Sequence, residues 1–160
     1  MKNNKQKPVK AIAVFQGKIH GQVRFTEEGN HVAIDVNVHG LKKNSMHGFH
    51  VHECGDLSEQ CESMCAHFNP TNSNHGCPGA KERHVGDLGN IVTDEHGSAV
   101  YRFYDDVIQL RGYKYNILGR GIIIHEDEDD CGLGGNKESL KTGNAGKRLN
   151  CAVIGYAKTK

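Results

Sequence analysis

Six histidines and one aspartate form a metal-ligand pattern that constrains this chain more than any other feature. They are embedded in the segments HGFHVHE, HFNP, HGCPG, RHVGDLG and IIIHE. Imidazole is a good ligand for copper and zinc, and a carboxylate added to a histidine cluster is a common way to complete a zinc site. Any one of these histidines alone would be interpreted as a hydrogen-bonded surface residue. Together they predict a metal-binding fold with seven candidate ligands: His50, His52, His67, His75, His84, Asp87 and His125.

The candidate ligands fall into two groups by local sequence. His50 and His52 lie two residues apart in an apolar run, so in a strand their side chains project from the same face. His125 ends an isoleucine run that is typical of a buried strand. The other four lie in a stretch rich in Asn, Gly and Pro, which is typical of a loop. We therefore expect one strand-borne group and one loop-borne group, the loop being ordered by the metal it binds.

The remaining pattern indicates an all-β chain. Apolar residues alternate with polar ones in residues 19–25, 32–38 and 99–103, and residues 151–156 are typical of a closing apolar strand. Residues 27–30 and 94–97 are typical of hairpin turns. These strand and turn patterns predict a β-sandwich or a β-barrel. Two segments, residues 54–86 and 126–147, exceed the usual length of a loop and are therefore candidates for function.

Length and charge restrict the other possibilities. A chain of 160 residues is long enough for one domain with a substantial core. We expect a flexible polar N-terminus at residues 1–8 and a single domain at residues 9–160. The segment MKNNKQKPVK is polar and no apolar run approaches transmembrane length, so we expect no membrane association and a cytoplasmic location. A net charge of +1 gives no reason to expect nucleic acid as a partner.

Several longer motifs resemble those of one known family. GFHVHECGD, HFNP, HGCPG, ERHVGDLGN and KTGNAGKRLNCAVIG are similar to the motifs of the copper/zinc superoxide dismutases, above all the eukaryotic cytosolic members. The resemblance runs from about Val9 to Ala157. It implies an eight-stranded Greek-key β-barrel or sandwich that carries two long functional loops.

The resemblance also implies two metal sites that share a histidine. The residues implied for copper are His50, His52, His67 and His125. The residues implied for zinc are His67, His75, His84 and Asp87, with His67 bridging the two metals. Asp129 matches an aspartate that hydrogen-bonds one ligand of each metal, and such groups orient imidazoles.

The activity implied by the resemblance is dismutation of superoxide to dioxygen and hydrogen peroxide by one-electron cycling of copper. His67 would take a proton during the cycle, and Arg148 would dock the anion beside copper with its fixed cationic fork. Lys141 and Lys147 would help attract the substrate, although residues 126–130 are acidic and Lys137 stands where the family often has an acidic residue.

Assembly and two alternative functions follow from the same comparison. The family's dimer predicts a homodimer through the region of Gly55, Leu118 and Ile154, and a copper-delivery protein is a further possible partner. The alternatives are a copper-carrying, chaperone-like domain and a structural zinc-only protein. Such carriers typically lose a copper histidine or the arginine, whereas this chain has all of them. A zinc-only protein would not need His50, His52 and His125 together.

The six cysteines divide into two groups. Cys61 and Cys151 match the family's intrasubunit disulfide, which would tie a long loop to the last strand. The simplest interpretation of the other four is free thiols, as is usual inside a cell. A second disulfide or a thiolate that competes for metal is the alternative for Cys54, Cys65, Cys77 and Cys131.

Overall fold

The computed structural model describes residues 6–159 and confirms the all-β prediction. Residues 1–5 of the predicted flexible N-terminus lie outside the described residues. The described part contains nine strands: β1 Lys10–Phe15, β2 His20–Glu28, β3 His31–His39, β4 Met46–His52, β5 Asp87–Val92, β6 Ala99–Asp105, β7 Gly121–His125, β8 Arg148–Val153 and β9 Gly155–Tyr156. A 3-10 helix at Glu62–Met64 and a short helix α1 at Ser139–Thr142 complete the elements there.

The strands form two antiparallel sheets that pack as a sandwich. One sheet has the order β6-β3-β2-β1-β9 and the other the order β5-β4-β7-β8. The pairing of β3 with β6 and of β4 with β7 requires long connections of the Greek-key kind. Alternate residues of each strand, such as Phe25 on β2 and Phe49 on β4, enter one hydrophobic core. The predicted hairpin turn at residues 27–30 is present between β2 and β3. The turn at residues 94–97 is present but is not a hairpin, because it links β5 of one sheet to β6 of the other.

The last predicted strand is divided between the two sheets. After Val153 the chain leaves the four-stranded sheet, and Ile154 is fully buried between the layers. Gly155 and Tyr156 then pair with β1 in the other sheet. The expectation of eight strands is therefore one too low, because an apolar run does not reveal that its residues pair with two different sheets.

The two long loops lie where they were predicted, between β4 and β5 and between β7 and β8. Phe49 and Val51 of β4 enter the core, whereas His50 and His52 alternate with them and are also buried. The loop residues His67 and His75 pack against His50, so the loops enclose the second face of β4. No helix among residues 6–159 is long and apolar enough to span a membrane.

Candidate metal centre

One end of the four-stranded sheet carries the strand-borne residues of the site. His50 and His52 lie on β4, and Asp87 begins β5 opposite His50. His125 ends β7 and lies opposite Arg148, the first residue of β8. The register of three strand pairs thus brings together residues that are far apart in the sequence.

Three imidazoles of the first long loop gather around the carboxylate of Asp87, which was expected in the loop but begins β5. Asp87 Oδ1 lies 3.0 Å from His67 Nδ1, 3.0 Å from His75 Nδ1 and 3.1 Å from His84 Nδ1. His67 Nδ1 and His84 Nδ1 are 3.2 Å apart. A tetrahedral zinc site with bonds of about 2.0 Å has ligand-to-ligand distances of about 3.3 Å. The donor set and its spacing therefore fit zinc.

A second set of imidazoles presents nitrogens without a partner. His50 Nδ1, His52 Nε2 and His125 Nε2 are buried and make no hydrogen bond. A buried polar atom rarely lacks a hydrogen-bond partner. Ring nitrogens of these three residues and of His67 all lie within 4.8 Å of one another. Because imidazole suits copper, this donor set fits a copper ion. His67 contributes to both sets.

The opposite ring nitrogen of each of these three histidines has a hydrogen-bond partner. His52 Nδ1 is 2.8 Å from the Cys65 carbonyl oxygen, and His125 Nδ1 is 3.2 Å from that of Gly146. His50 Nε2 is 2.6 Å from Asp129 Oδ2. These contacts fix each ring so that its free nitrogen points at a shared position.

Asp129 connects the two sets of ligands. Besides His50, it accepts a hydrogen bond from His75 Nε2 at 2.7 Å. Its backbone is held by Asn90 on β5, which sequence reasoning missed although Asn90 ends the motif ERHVGDLGN. Gly143 was also missed: its φ is +69°, and a Cβ there would overlap the Asp129 carboxylate. The backbone at position 143 therefore lies so close to the Asp129 carboxylate that the position requires glycine.

Burial favours the neutral, metal-binding form of most ligand histidines. It lowers the pKa of His50, His52 and His67, and it lowers the pKa of His125 to about 4. His75 differs: burial also opposes its charge, but hydrogen bonds to Asp129 and Asp87 raise its pKa to about 9.

A cavity of about 860 Å³ opens over the copper-side ligands. Its wall includes Arg148 and Lys141, and two acidic residues, Glu53 and Glu138. Arg148 is held in place because its guanidinium donates to the carbonyl oxygens of Cys61 at 2.8 Å and Cys65 at 2.6 Å. Lys147 and residues 126–130 do not line this cavity.

Four of the cysteines form two disulfides. One joins Cys61 to Cys151, as the resemblance implies. The other joins Cys77 to Cys131, so the preferred interpretation of these two as free thiols is wrong and the second-disulfide alternative applies. Cys77 lies two residues after His75 and Cys131 two after Asp129, so this bond ties the two long loops together beside the site. Cys54 and Cys65 are free.

Comparisons with known proteins agree on one family. The sequence model for copper/zinc superoxide dismutase (SODC) matches residues 19–154. The chain is 63% identical to "Superoxide dismutase [Cu-Zn]" of Paramecium bursaria Chlorella virus 1, an alignment that covers 97% of this chain and 82% of the relative. It is 46% identical to "Extracellular superoxide dismutase [Cu-Zn]" of Drosophila melanogaster, over 92% of this chain and 86% of the relative.

A solved structure has the same fold over nearly the whole chain. The clock protein EA4 superposes with a TM-score of 0.90 and 43% sequence identity, and the match covers 98% of this chain and 100% of EA4. Fold and sequence therefore point to the same group of relatives.

Proposed function

Because the chain belongs to the copper/zinc superoxide dismutase family, we propose that the ligand sets described above hold the two metals of a dismutase active site. The enzyme converts superoxide to dioxygen and hydrogen peroxide, with copper and zinc as its cofactors. What remains to be assigned is the role of each residue.

The proposed copper ligands are His50, His52, His67 and His125, and the proposed zinc ligands are His67, His75, His84 and Asp87. The observation that carries this assignment is the set of unpartnered, buried ring nitrogens that converge on the copper side. On the zinc side, the support is the set of 3.0–3.2 Å distances among the Nδ1 atoms and Asp87 Oδ1.

When bound, copper supplies one-electron redox chemistry, and zinc, which has no redox chemistry, supplies fixed charge and order. His67 belongs to both sets, so its Nε2 is the atom proposed to hold the proton that peroxide formation requires. Arg148 lines the cavity and is proposed to orient the small anionic substrate. Asp129 is proposed to keep the His50 and His75 rings aligned.

Charge along the cavity is proposed to accelerate binding of superoxide. Lys141 lines the wall with Arg148, and this supports a steering role for both. Lys147 was predicted to share this role. It lies next to Arg148 in the chain but outside the cavity wall, so we propose a weaker, longer-range contribution from it.

The alternative of a copper-carrying, chaperone-like domain is not favoured. All four copper-side histidines are present and converge, and Arg148 lies in the same cavity. A carrier needs affinity for copper, but it does not need a guanidinium aimed at a small-anion cavity.

Superoxide decay measured on matched metal forms tests the proposal. Protein loaded with copper and zinc should consume superoxide, and zinc-only protein should not. His125→Ala should lose copper and activity but retain zinc, whereas His96→Ala, at an exposed turn position, should behave as the parent. Near-normal activity in His125→Ala would remove the copper assignment.

We also propose a homodimer, with copper supplied by a delivery protein. Gly55 and Leu118 are half-buried, and Gly55 lies beside the 36% exposed Val153, which supports an apolar contact surface there. Ile154, predicted to share this surface, is fully buried inside the protomer and can only support it from beneath. Sedimentation equilibrium tests this: a mass of one chain at micromolar concentration would contradict the dimer.

A cytoplasmic location is proposed on the basis of the free thiols of Cys54 and Cys65, because unpaired cysteines persist most readily in a reducing compartment. The two disulfides favour an oxidising compartment by the same principle. The relative from Drosophila that is named extracellular makes the secreted location the competing outcome. Fractionation of producing cells, with activity followed in the cytosol and the medium, separates the two.

A further inference from the structure

Two free thiols and a carboxylate lie together outside the predicted copper and zinc sites. The Sγ atoms of Cys54 and Cys65 and a carboxylate oxygen of Glu53 all lie within 4.8 Å of one another. Neither cysteine belongs to a disulfide. Cys65 and Glu53 are exposed and Cys54 is half-buried, so the cluster is accessible from solvent.

The backbone holds this cluster in a defined shape. The segment after β4 runs antiparallel to the segment before His67, as the bridge between His52 and His67 shows. The Glu53 N–H donates to the Ala66 carbonyl at 2.9 Å, and the Cys54 N–H donates to the Met64 carbonyl at 3.2 Å. The two thiols therefore face each other across a pair of hydrogen-bonded chains.

We propose that Cys54, Cys65 and Glu53 form a binding site for a single cuprous ion, from which copper passes to the neighbouring histidine site. Soft thiolates select Cu(I) over hard cations. Two metal–sulfur bonds of about 2.3 Å each can join sulfurs up to about 4.6 Å apart, and the two Sγ atoms lie within 4.8 Å of each other. A carboxylate oxygen of Glu53 lies in the same cluster and supplies a third ligand atom.

The cluster is close to the copper-side ligands both in the sequence and through shared hydrogen bonds. Glu53 directly follows His52, and Cys65 lies two residues before His67. The Cys65 carbonyl oxygen accepts hydrogen bonds from both His52 Nδ1 and Arg148 Nη2. Glu53 also lines the cavity that leads to the histidines. Binding at the thiols would therefore place a cuprous ion at the rim of the same cavity.

Transfer needs no change of oxidation state. The ion exchanges two thiolates for imidazoles, and each released thiolate recovers a proton from solvent. The delivery step rests on the copper site proposed above, whereas binding at the thiols does not.

Anaerobic titration of the copper- and zinc-loaded enzyme with cuprous ion, against a bicinchoninate competitor, tests the binding site. One further cuprous ion should bind per chain, with near-ultraviolet absorption from thiolate-to-copper charge transfer. Cys54→Ser and Cys65→Ser should each abolish that absorption. Glu53→Gln should weaken binding by about tenfold, as expected when a group that supports metal ligands is removed. Glu62→Gln, an exposed acid outside the cluster, should match the parent.

Two results would overturn the site. The first is that the extra ion still binds in the double serine variant. The second is that Cys54 and Cys65 of the parent form a third disulfide and offer no free thiols. The experiment distinguishes failure of the thiol site from failure of the proposed dismutase function. Normal dismutation without an extra cuprous ion removes the thiol site alone. An extra ion in a protein that does not consume superoxide removes the dismutase assignment alone.

Delivery is tested with zinc-loaded, copper-free protein given one equivalent of cuprous ion and then air. The electron paramagnetic resonance signal of histidine-bound cupric ion should develop several-fold more slowly in the Cys54→Ser/Cys65→Ser variant than in the parent, with the same final amplitude. Glu62→Gln should keep the parental rate. Equal rates in the parent and the double serine variant would show that the thiols do not deliver copper.

Discussion

Asn90 and Asp129 are joined by two hydrogen bonds that tie a strand to a loop. Asn90 Oδ1 accepts from the Asp129 N–H at 2.7 Å, and Asn90 Nδ2 donates to the Asp129 carbonyl at 3.1 Å. The rigid β5 strand thereby positions an aspartate whose carboxylate contacts one imidazole of each ligand set.

Replacement of Asn90 by Ala should weaken the retention of both metals. Asp129 would lose its anchor, and loss of a group that orients ligands typically costs about 10–100-fold in metal affinity. Competition with a chelator for copper and for zinc measures the change. Asn30→Ala, in the exposed turn after β2, serves as the control. Loss of only one metal would mean that Asn90 does not act through Asp129.

Arg148→Glu should slow superoxide decay much more than Arg148→Lys, because Lys keeps the charge and loses only the fork. Metal content should be unchanged in both variants. Rising ionic strength should slow the parent and should slow Arg148→Glu less, or even accelerate it, since salt screens attraction and repulsion alike. The same rate and salt dependence in all three proteins would show that Arg148 does not act on substrate.

Removal of the Cys77–Cys131 disulfide should destabilise the protein. The bond closes a loop with a sequence separation of 54 residues, for which the chain-entropy account gives about 4 kcal/mol. Cys77→Ser/Cys131→Ser should therefore unfold at lower urea concentration and release zinc faster. Cys54→Ser/Cys65→Ser removes the same number of cysteines without breaking a disulfide and should leave stability nearly unchanged. Equal stability of the two double variants would contradict the prediction.

The metal-free protein should have a stability maximum near pH 6.5, because His75 opposes the buried histidines whose pKa is lowered, namely His50, His52, His67 and His125. His125 has a pKa of about 4 when folded and about 6.5 when unfolded, so it favours unfolding as the pH falls from 6.5 to 4. His75 has a folded pKa of about 9, so its stabilising contribution is complete below 6.5 and is lost as the pH rises through 9.

Urea unfolding of the metal-free protein between pH 4 and 9 measures this profile. His125→Gln should reduce the slope only on the acid side, to which His50, His52 and His67 also contribute. His75→Gln should flatten only the alkaline side. An unaltered profile in both variants would assign the pH dependence to other groups.

The parts of the site that depend on local sequence could be predicted from the residues. Strand alternation places His50 and His52 on one face, and the turn residues around Gly29 mark the hairpin between β2 and β3. These features need only neighbouring residues. The residue pattern also named the loop ligands, and the resemblance added their division between copper and zinc, which no spacing argument could provide.

The parts that depend on packing between distant segments could not be predicted. The Cys77–Cys131 pairing requires two loops to meet, and six cysteines allow many pairings. The role of Asn90 also depends on contact between β5 and the second long loop. Likewise, nothing in the sequence shows that Lys147 lies outside the cavity while Lys141 lies in its wall.

The divided last strand also covers a sheet edge to which another chain could add a strand. Tyr156 pairs with Ala11 and the Ala157 N–H donates to the Lys10 carbonyl, so two residues of β9 cover the otherwise open edge of β1. A longer, uncovered edge is a template on which another chain can add a strand. Premature termination after Val153 would remove none of the ligand residues from the sequence, yet it would expose the edge of β1 to strand addition by another chain.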